Sequence, residues 1–208
     1  METLRLTVEQ IELAAEILNN GGVVAFPTDT VYGLAVRSDM PLAIQHMKDA
    51  KQRPESKPFP MMVNSLQQIE QVAKLKQRDY RLIKRWMPGA VTFVFKKKDD
   101  LDPIVTNGFK TIGIRMPDDP FILKLIELIG VPLLVPSANL SGYPSTTDSD
   151  EVLAQLDGKI EAVIVGESGG KTSSTVIDAT AKELILLRQG EVMIEDVRKS
   201  LKEKETTT

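Results

Sequence analysis

Short apolar runs alternate with amphipathic segments along almost the whole chain, and this alternation most limits the fold. Residues 23–26, 91–95 and 131–135 are apolar runs of strand length, whereas residues 11–18 and 120–129 repeat apolar side chains at helical spacing. Strands that alternate with helices must bury their apolar faces against one another. The pattern therefore predicts an α/β fold with an open, twisted mixed sheet and helices packed on it.

No internal repeat or linker divides the 208 residues. This length is ample for a hydrophobic core, and the segments between the predicted elements are short enough for one compact unit. We therefore predict a single domain over residues 1–208, with a folded core at about 7–200 and a frayed tail at 203–208.

The composition excludes several classes of protein. The chain has no cysteine and only one histidine, which rules out disulfides, thiol catalysis and multi-histidine metal sites. Its net charge of −3 argues against a surface that coats nucleic acid, although a local basic cleft remains compatible. A signal peptide and an apolar run of the ~20 residues needed to span a membrane are both missing, so we expect a cytoplasmic protein.

One glycine-rich stretch, residues 166–172 (GESGGKT), resembles two catalytic motifs but satisfies neither. It is one residue short of a P-loop, and the β-branched run that follows predicts a strand where a P-loop needs a helix. Its Gly-x-Ser-x-Gly pattern also matches a hydrolase nucleophile elbow, which requires a histidine later in the chain. The only histidine, His46, lies upstream.

Three cations stand close together beside two prolines in residues 51–58 (KQRPESKP). Pro54 and Pro58 fix the backbone φ angle, so Lys51, Arg53 and Lys57 project with less freedom than in an ordinary charged run. Arginine offers a planar fork for phosphate and lysine a mobile point charge. On these residues alone, a phosphate clamp and a solvated loop are equally good interpretations.

Polar side chains also follow or interrupt apolar strands at three places. Ser137 and Asn139 lie directly after the predicted strand 131–135, where open α/β sheets place ligands, although these residue types also favour plain turns. Asp29 has the same ambiguity after the strand 23–26. Arg115 ends the strand 111–115 and, if buried, needs the carboxylate of the protein or of a ligand as its partner.

Taken together, seven segments resemble the YrdC/TsaC family, the L-threonylcarbamoyladenylate synthases. Any one of them is weak, but the ordered set spans nearly the whole chain. The segments are 22–34 (GVVAFPTDTVYGL), 51–58 (KQRPESKP), 88–92 (PGAVT), 111–115 (TIGIR), 136–142 (PSANLSG), 173–178 (SSTVID) and 187–190 (LRQG).

The resemblance implies a YrdC-like sheet with a basic concave cleft. It also implies an enzyme that converts L-threonine, bicarbonate or CO2, and ATP into threonylcarbamoyl-AMP and pyrophosphate, for N6-threonylcarbamoyladenosine (t6A) in tRNA. Mg²⁺ is implied on the ATP phosphates, without protein ligands. Implied partners are tRNA or double-stranded RNA, and transfer proteins of the TsaB, TsaD and TsaE type.

The residue roles carried over by the resemblance form two sets, and no distinct catalytic side chain is among them. ATP would be bound by Arg53, Lys57, Thr111, Asn139, Thr147 and Arg188, with Lys51 beside the phosphates. Threonine would be bound by Thr30, Arg115, Ser137 and Ser174. Other hydroxyl side chains lie close to Thr147 in the same loop, and several of them could reach a phosphate in its place.

Two departures from the family pattern leave alternatives open. Met62 stands where many members have a histidine that contacts threonine, so a paralogue with another substrate remains an alternative. The chain also resembles the short form of the family, without the additional C-terminal domain of the long form. A non-catalytic protein that binds double-stranded RNA or tRNA through the same cleft is the other alternative.

Overall fold

A computed structural model describes residues 2–53 and 58–202. The described residues form eleven strands and seven α-helices, with short 3-10 helices at Val8–Gln10 and Pro103–Thr106. The strands are β1 (Leu4–Leu6), β2 (Val24–Phe26), β3 (Gly33–Arg37), β4 (Met61–Met62), β5 (Ala73–Lys74), β6 (Val91–Lys97), β7 (Thr111–Arg115), β8 (Leu133–Leu134), β9 (Ala162–Ile164), β10 (Thr175–Asp178) and β11 (Ile185–Arg188). The helices are α1 (Ile11–Asn19), α2 (Pro41–Ala50), α3 (Leu66–Val72), α4 (Gln77–Trp86), α5 (Pro120–Ile129), α6 (Ser149–Leu156) and α7 (Ile194–Ser200).

The strands pair in one mixed sheet, in the order β1-β9-β2-β3-β8-β4-β7-β6-β10-β11, with β5 added beside β6. The pairs β1/β9, β2/β9, β4/β7 and β6/β10 are parallel. The pairs β2/β3, β3/β8, β4/β8, β6/β7 and β10/β11 are antiparallel. The predicted α/β class with an open mixed sheet is therefore confirmed.

Helices pack on both faces of this sheet. Val24 and Phe26 of β2 belong to one apolar cluster, which α1 and α5 cover, whereas Ala25 belongs to a second cluster with α2, α4 and α6. Because successive strand residues point to opposite faces, a strand buried on both sides reads as a continuous apolar run. This accounts for the run at residues 23–26.

Local signals set the ends of the helices. The Asp119 carboxylate accepts hydrogen bonds from the backbone N–H groups of Phe121 and Ile122, and Pro120 occupies the first turn of α5. Gly130 ends the same helix with φ +78°, a conformation that glycine adopts without strain. These signals fix how α5 enters and leaves the sheet.

The structure corrects the sequence-based elements in three places. Strand β1 was not predicted, because its three residues are too few to show a period, and it pairs with β9 far along the chain. The capping pattern of Ser65 and Gln68 predicts a helix over residues 65–75, but α3 ends at Val72, since Ala73 and Lys74 pair with β6. The polar residues 96–110 predict a loop, but strand β6 extends into them as far as Lys97.

Residues 203–208, predicted as a frayed tail, lie outside the described residues. Within residues 2–53 and 58–202, no helix is both long and apolar enough to cross a membrane.

Candidate functional site

A small pocket of about 100 Å³ opens where several strand ends and loops meet. Its walls come from the loop after β2, the loop after β8, the end of β7, the segment before β10, and the last residue of β11. Polar side chains dominate the lining, and they include Thr28, Thr30, Arg53, Thr92, Arg115, Ser137, Ser173, Ser174 and Arg188. The sequence therefore brings six predicted site residues, Thr30, Arg53, Arg115, Ser137, Ser174 and Arg188, to one place.

Arg115 lines this pocket and is deeply buried, with only 4% of its surface exposed. Its Nη2 donates to the Asp29 carboxylate, its Nη1 to Thr30 Oγ1 at 2.8 Å, and its Nε to the Gly89 carbonyl at 3.0 Å. Burial lowers the pKa of Arg115 and the nearby Asp29 charge opposes this shift. The buried arginine therefore has a protein carboxylate as partner, one of the two possibilities that the sequence left open.

The loop after β2 orients the hydroxyls on this side. Thr28 Oγ1 donates to the Val31 carbonyl at 2.8 Å and lies 3.0 Å from Thr30 Oγ1. The backbone N–H of Thr30 also donates to Thr28 Oγ1, at 3.0 Å. Both threonines are buried, so their hydroxyls are fixed before any ligand arrives.

Arg188 and Ser174 also line the pocket and bond to each other. Arg188 donates through Nε and Nη2 to the Ser174 carbonyl at 3.0 and 2.9 Å, and through Nη2 to Ser174 Oγ at 3.2 Å. Ser174 Oγ also lies 2.8 Å from Thr92 Oγ1. Burial is the main cause that lowers the pKa of Arg188, and the Arg115 charge adds to it.

The two described cations of the 51–58 run have different surroundings. Arg53 lines the pocket, stacks 4.7 Å from the centre of the Phe59 ring, and donates to the Pro58 carbonyl at 2.9 Å. Lys51 is 1% exposed, and its Nζ donates to the carbonyls of Ser137 and Asn139. Burial and the Arg53 charge lower the pKa of Lys51 to about 7. Lys57, the third predicted cation, lies outside the described residues.

Three residues predicted for ATP lie outside the lining of this pocket. The side chain of Asn139 donates to the carbonyls of Leu140 and Tyr143, each at 2.8 Å, and so stabilises its own turn. The backbone N–H of Thr147 donates to the Glu151 carboxylate. Thr111 begins the strand that Arg115 ends, so these two residues lie about 13 Å apart at 3.3 Å per residue. Their role in ATP binding stays a prediction.

Sequence reasoning assigned no role to three polar lining residues, Thr28, Thr92 and Ser173. Thr28 and Thr92 lie within segments that resemble the family. The sequence signal that could have identified Thr28 is its closeness to Thr30, and the signal for Thr92 is its position in the strand 91–95. Met62 is buried in the pocket wall, and Ser173 precedes Ser174. The glycine-rich stretch 166–172 leads into strand β10 rather than a helix, as the sequence predicted.

The pocket is strongly positive. Three guanidinium groups, those of Arg53, Arg115 and Arg188, line it, and no acidic residue of the described chain does so. Asp29 contacts Arg115 from outside this lining and neutralises one of the three charges. Guanidinium groups gathered in one pocket suit a ligand with several negative charges.

Comparisons with known proteins agree with this geometry. The family model Sua5/YciO/YrdC, described as telomere recombination, matches residues 16–190. A threonylcarbamoyl-AMP synthase of Pyrococcus abyssi is 38% identical over 96% of this chain and 59% of its own length. A protein of the same name from Photobacterium profundum is 32% identical over 88% of this chain and 100% of its own length.

Solved structures give the same result. The structure of P. abyssi Sua5 complexed with L-threonine has a TM-score of 0.88 at 36% identity, over 96% of this chain and 61% of that one. The structure of E. coli YciO has a TM-score of 0.83 at 27% identity, over 93% and 97%. The chain spans somewhat more than half the length of its P. abyssi relative. From the match over residues 16–190 and the identity across most of its length, the chain belongs to the Sua5/YciO/YrdC family.

Proposed function

We propose that this protein is an L-threonylcarbamoyladenylate synthase. The single observation that carries the proposal is the pocket in which three guanidinium groups and a row of fixed hydroxyls converge, with no acidic residue of the described chain in the lining. Such a pocket matches a small amino acid beside a polyphosphate. The name of the P. profundum relative, which this chain matches over the relative's full length, supports the same activity.

Threonine would occupy the deep part of the pocket, at Arg115. The guanidinium group would receive the carboxylate of the amino acid, and the hydroxyls of Thr30, Ser137 and Ser174 would contact its polar groups. Asp29 holds the Arg115 side chain in place through Nη2. The P. abyssi protein, which has the same fold, was solved in complex with L-threonine, and this supports threonine as a substrate.

ATP would lie in the outer part of the pocket, with its phosphates near Arg53 and Arg188. Lys57, Asn139, Thr111 and Thr147 remain predicted contacts of the nucleotide. Among the described residues, no cluster of three or more acidic or histidine side chains could hold a metal ion. Mg²⁺ would enter with the ATP phosphates and keep water ligands.

The proposed reaction needs little covalent chemistry from the protein. The threonine amine and CO2 form a carbamate with loss of a proton, and a carbamate oxygen then attacks the α-phosphorus. The bond from that phosphorus to the bridging oxygen breaks, and pyrophosphate leaves. The arginines would hold the two anions together and neutralise the charge that develops on the leaving group.

The product would supply t6A formation in tRNA, through transfer proteins of the TsaB, TsaD and TsaE type. A cysteine-free chain is suited to the reducing cytoplasm, where we propose that it acts. Direct binding of tRNA or double-stranded RNA is a separate prediction.

The test is synthesis from purified components. The protein is incubated with ATP, Mg²⁺, bicarbonate and labelled L-threonine, and pyrophosphate and threonylcarbamoyl-AMP are measured. We expect product that requires every substrate, falls strongly in Arg188→Ala, and stays unchanged in Arg85→Ala, an exposed arginine on α4. Failure to form product while RNA is bound would favour the non-catalytic alternative, and product with another amino acid would favour the paralogue.

A further inference from the structure

Lys51 connects the end of α2 to the turn that follows β8, through three hydrogen bonds. Its Nζ donates to the carbonyls of Ser137 and Asn139, each at 2.5 Å. Its own backbone carbonyl accepts from the N–H of Ser141 at 2.9 Å. One residue therefore fixes both sides of the turn.

This turn carries part of the pocket wall. Ser137 lines the pocket and bridges to Gly33 of β3, and Ala138 donates to the Tyr32 carbonyl at 2.7 Å. The turn also bonds to itself, because Ser137 Oγ donates to Asn139 Oδ1. A shift of the turn would therefore move Ser137 relative to the deep part of the pocket.

The position of the Lys51 ammonium group argues against contact with a ligand. The residue is almost fully buried and is absent from the lining of the pocket, whereas Arg53, two residues later, belongs to it. Two of the three ammonium protons are already donated to carbonyl oxygens. A buried ammonium group needs such acceptors, and without it the Asn139 carbonyl would lose a buried partner.

We propose that Lys51 is a positioning residue of the synthase, which acts through Ser137 and Asn139 and does not bind the phosphates of ATP. The proposal rests on the proposed function and replaces the phosphate-clamp role that the sequence implied for Lys51. The clamp then belongs to Arg53 and the other pocket cations.

The two roles predict different kinetics for Lys51→Met, a substitution of similar length without charge. If Lys51 positions the turn, Lys51→Met should lower kcat by about 10- to 100-fold, since misplacement of a side chain at the site by about 1 Å is costly. The KM for ATP should then stay within about 3-fold of the wild-type value. If Lys51 binds the phosphates instead, Lys51→Met should raise the KM for ATP by at least 10-fold. Arg53→Met is the matched comparison, and we expect it to raise the KM for ATP.

Two further measurements do not depend on turnover. Equilibrium binding of ATP should be nearly unchanged in Lys51→Met and weakened in Arg53→Met. Amide hydrogen exchange at Asn139 and Ser141 should become at least 10-fold faster in Lys51→Met, because the turn loses its anchor. If the variant does not fold, Lys51→Arg, which keeps a buried cation, serves for the same three measurements.

The outcomes separate the two proposals. If the wild type forms no pyrophosphate but Lys51→Met still accelerates exchange at the turn and binds ATP normally, the synthase proposal fails and the positioning role stands. If Lys51→Met weakens ATP binding as much as Arg53→Met does, or leaves exchange at Asn139 and Ser141 unchanged, the positioning role is wrong.

Discussion

Asp29→Ala should destabilise the protein, because it removes the carboxylate partner of a buried arginine. Arg115 is 4% exposed, and the Asp29 side chain is 18% exposed. Breaking a buried ion pair by removal of one partner costs about 3–5 kcal/mol. Since Asp29 keeps some contact with water, we expect the lower end, about 3 kcal/mol. In a chain of this length that corresponds to a fall in Tm of about 6–12 °C.

The assay is urea unfolding of the wild type, Asp29→Ala, Arg115→Met and the double variant, as a double-mutant cycle. Arg115→Met removes the cation that Asp29 neutralises, so the double variant should be less destabilised than the sum of the single variants. We expect a coupling free energy of about 2 kcal/mol between the two side chains. A coupling free energy below about 0.5 kcal/mol would refute the argument that the protein needs Asp29 to bury Arg115.

The same variants test whether Arg115 also receives a ligand. If the threonine carboxylate binds Arg115, L-threonine should raise the Tm of the wild type and of Asp29→Ala but not of Arg115→Met, because only a ligand that binds the folded state stabilises it. D-threonine, which has the same charge, is the control. An equal rise in Arg115→Met would place the amino acid elsewhere.

Three other substitutions have expected outcomes. The pKa of Lys51 is lowered to about 7, so above pH 7 the unfolded chain binds one more proton than the folded chain does. The free energy of unfolding of the wild type, relative to that of Lys51→Met, should therefore rise by about 1 kcal/mol between pH 7.5 and 8.5. If urea unfolding gives a difference that does not change with pH, the ammonium group stays charged in the folded protein. Gly190→Ala should lower activity at least 10-fold, because its Cβ would lie 2.3 Å from the Ser173 carbonyl oxygen, whereas Gly113→Ala, with no heavy atom nearer than 3.4 Å, should not. Ser141→Ala should leave the free energy of unfolding unchanged or raise it by up to about 1 kcal/mol, since its buried hydroxyl has no partner among the described residues, and a loss of stability would contradict this.

The fold was predictable from the sequence where local patterns determine the structure. Helix α5 and strand β7 have the predicted bounds, because the signals that set them lie within each segment. Strand β1 and the short strand β5 were missed, since two or three residues have no readable period and pair only through contacts far along the chain. Tertiary contact determines these elements, and local propensity does not.

The membership of the site was predictable in part, and the hydrogen-bond partners were not. The motifs named Thr30, Arg115, Ser137, Ser174 and Arg188, which do meet in one pocket. The sequence did not show that Asp29 would pair with Arg115, 86 residues away, or that Lys51 would donate to carbonyls 86 and 88 residues away. Backbone acceptors have no sequence signature, so a charged residue that binds them is easily mistaken for a ligand contact.

The pocket shows why cations only two residues apart have separate roles. Arg115, Arg188 and Lys51 each donate to acceptors that the protein itself supplies, a carboxylate or backbone carbonyls. Such bonds restrict the rotation of long side chains before a ligand binds, so the positive field is already oriented when charge develops in the reaction. Acceptors that orient a cation also reduce the number of its donors that can reach a ligand. We therefore expect Lys51, whose acceptors belong to the turn after β8, to affect kcat, whereas Arg53, which lines the pocket, should affect the KM for ATP.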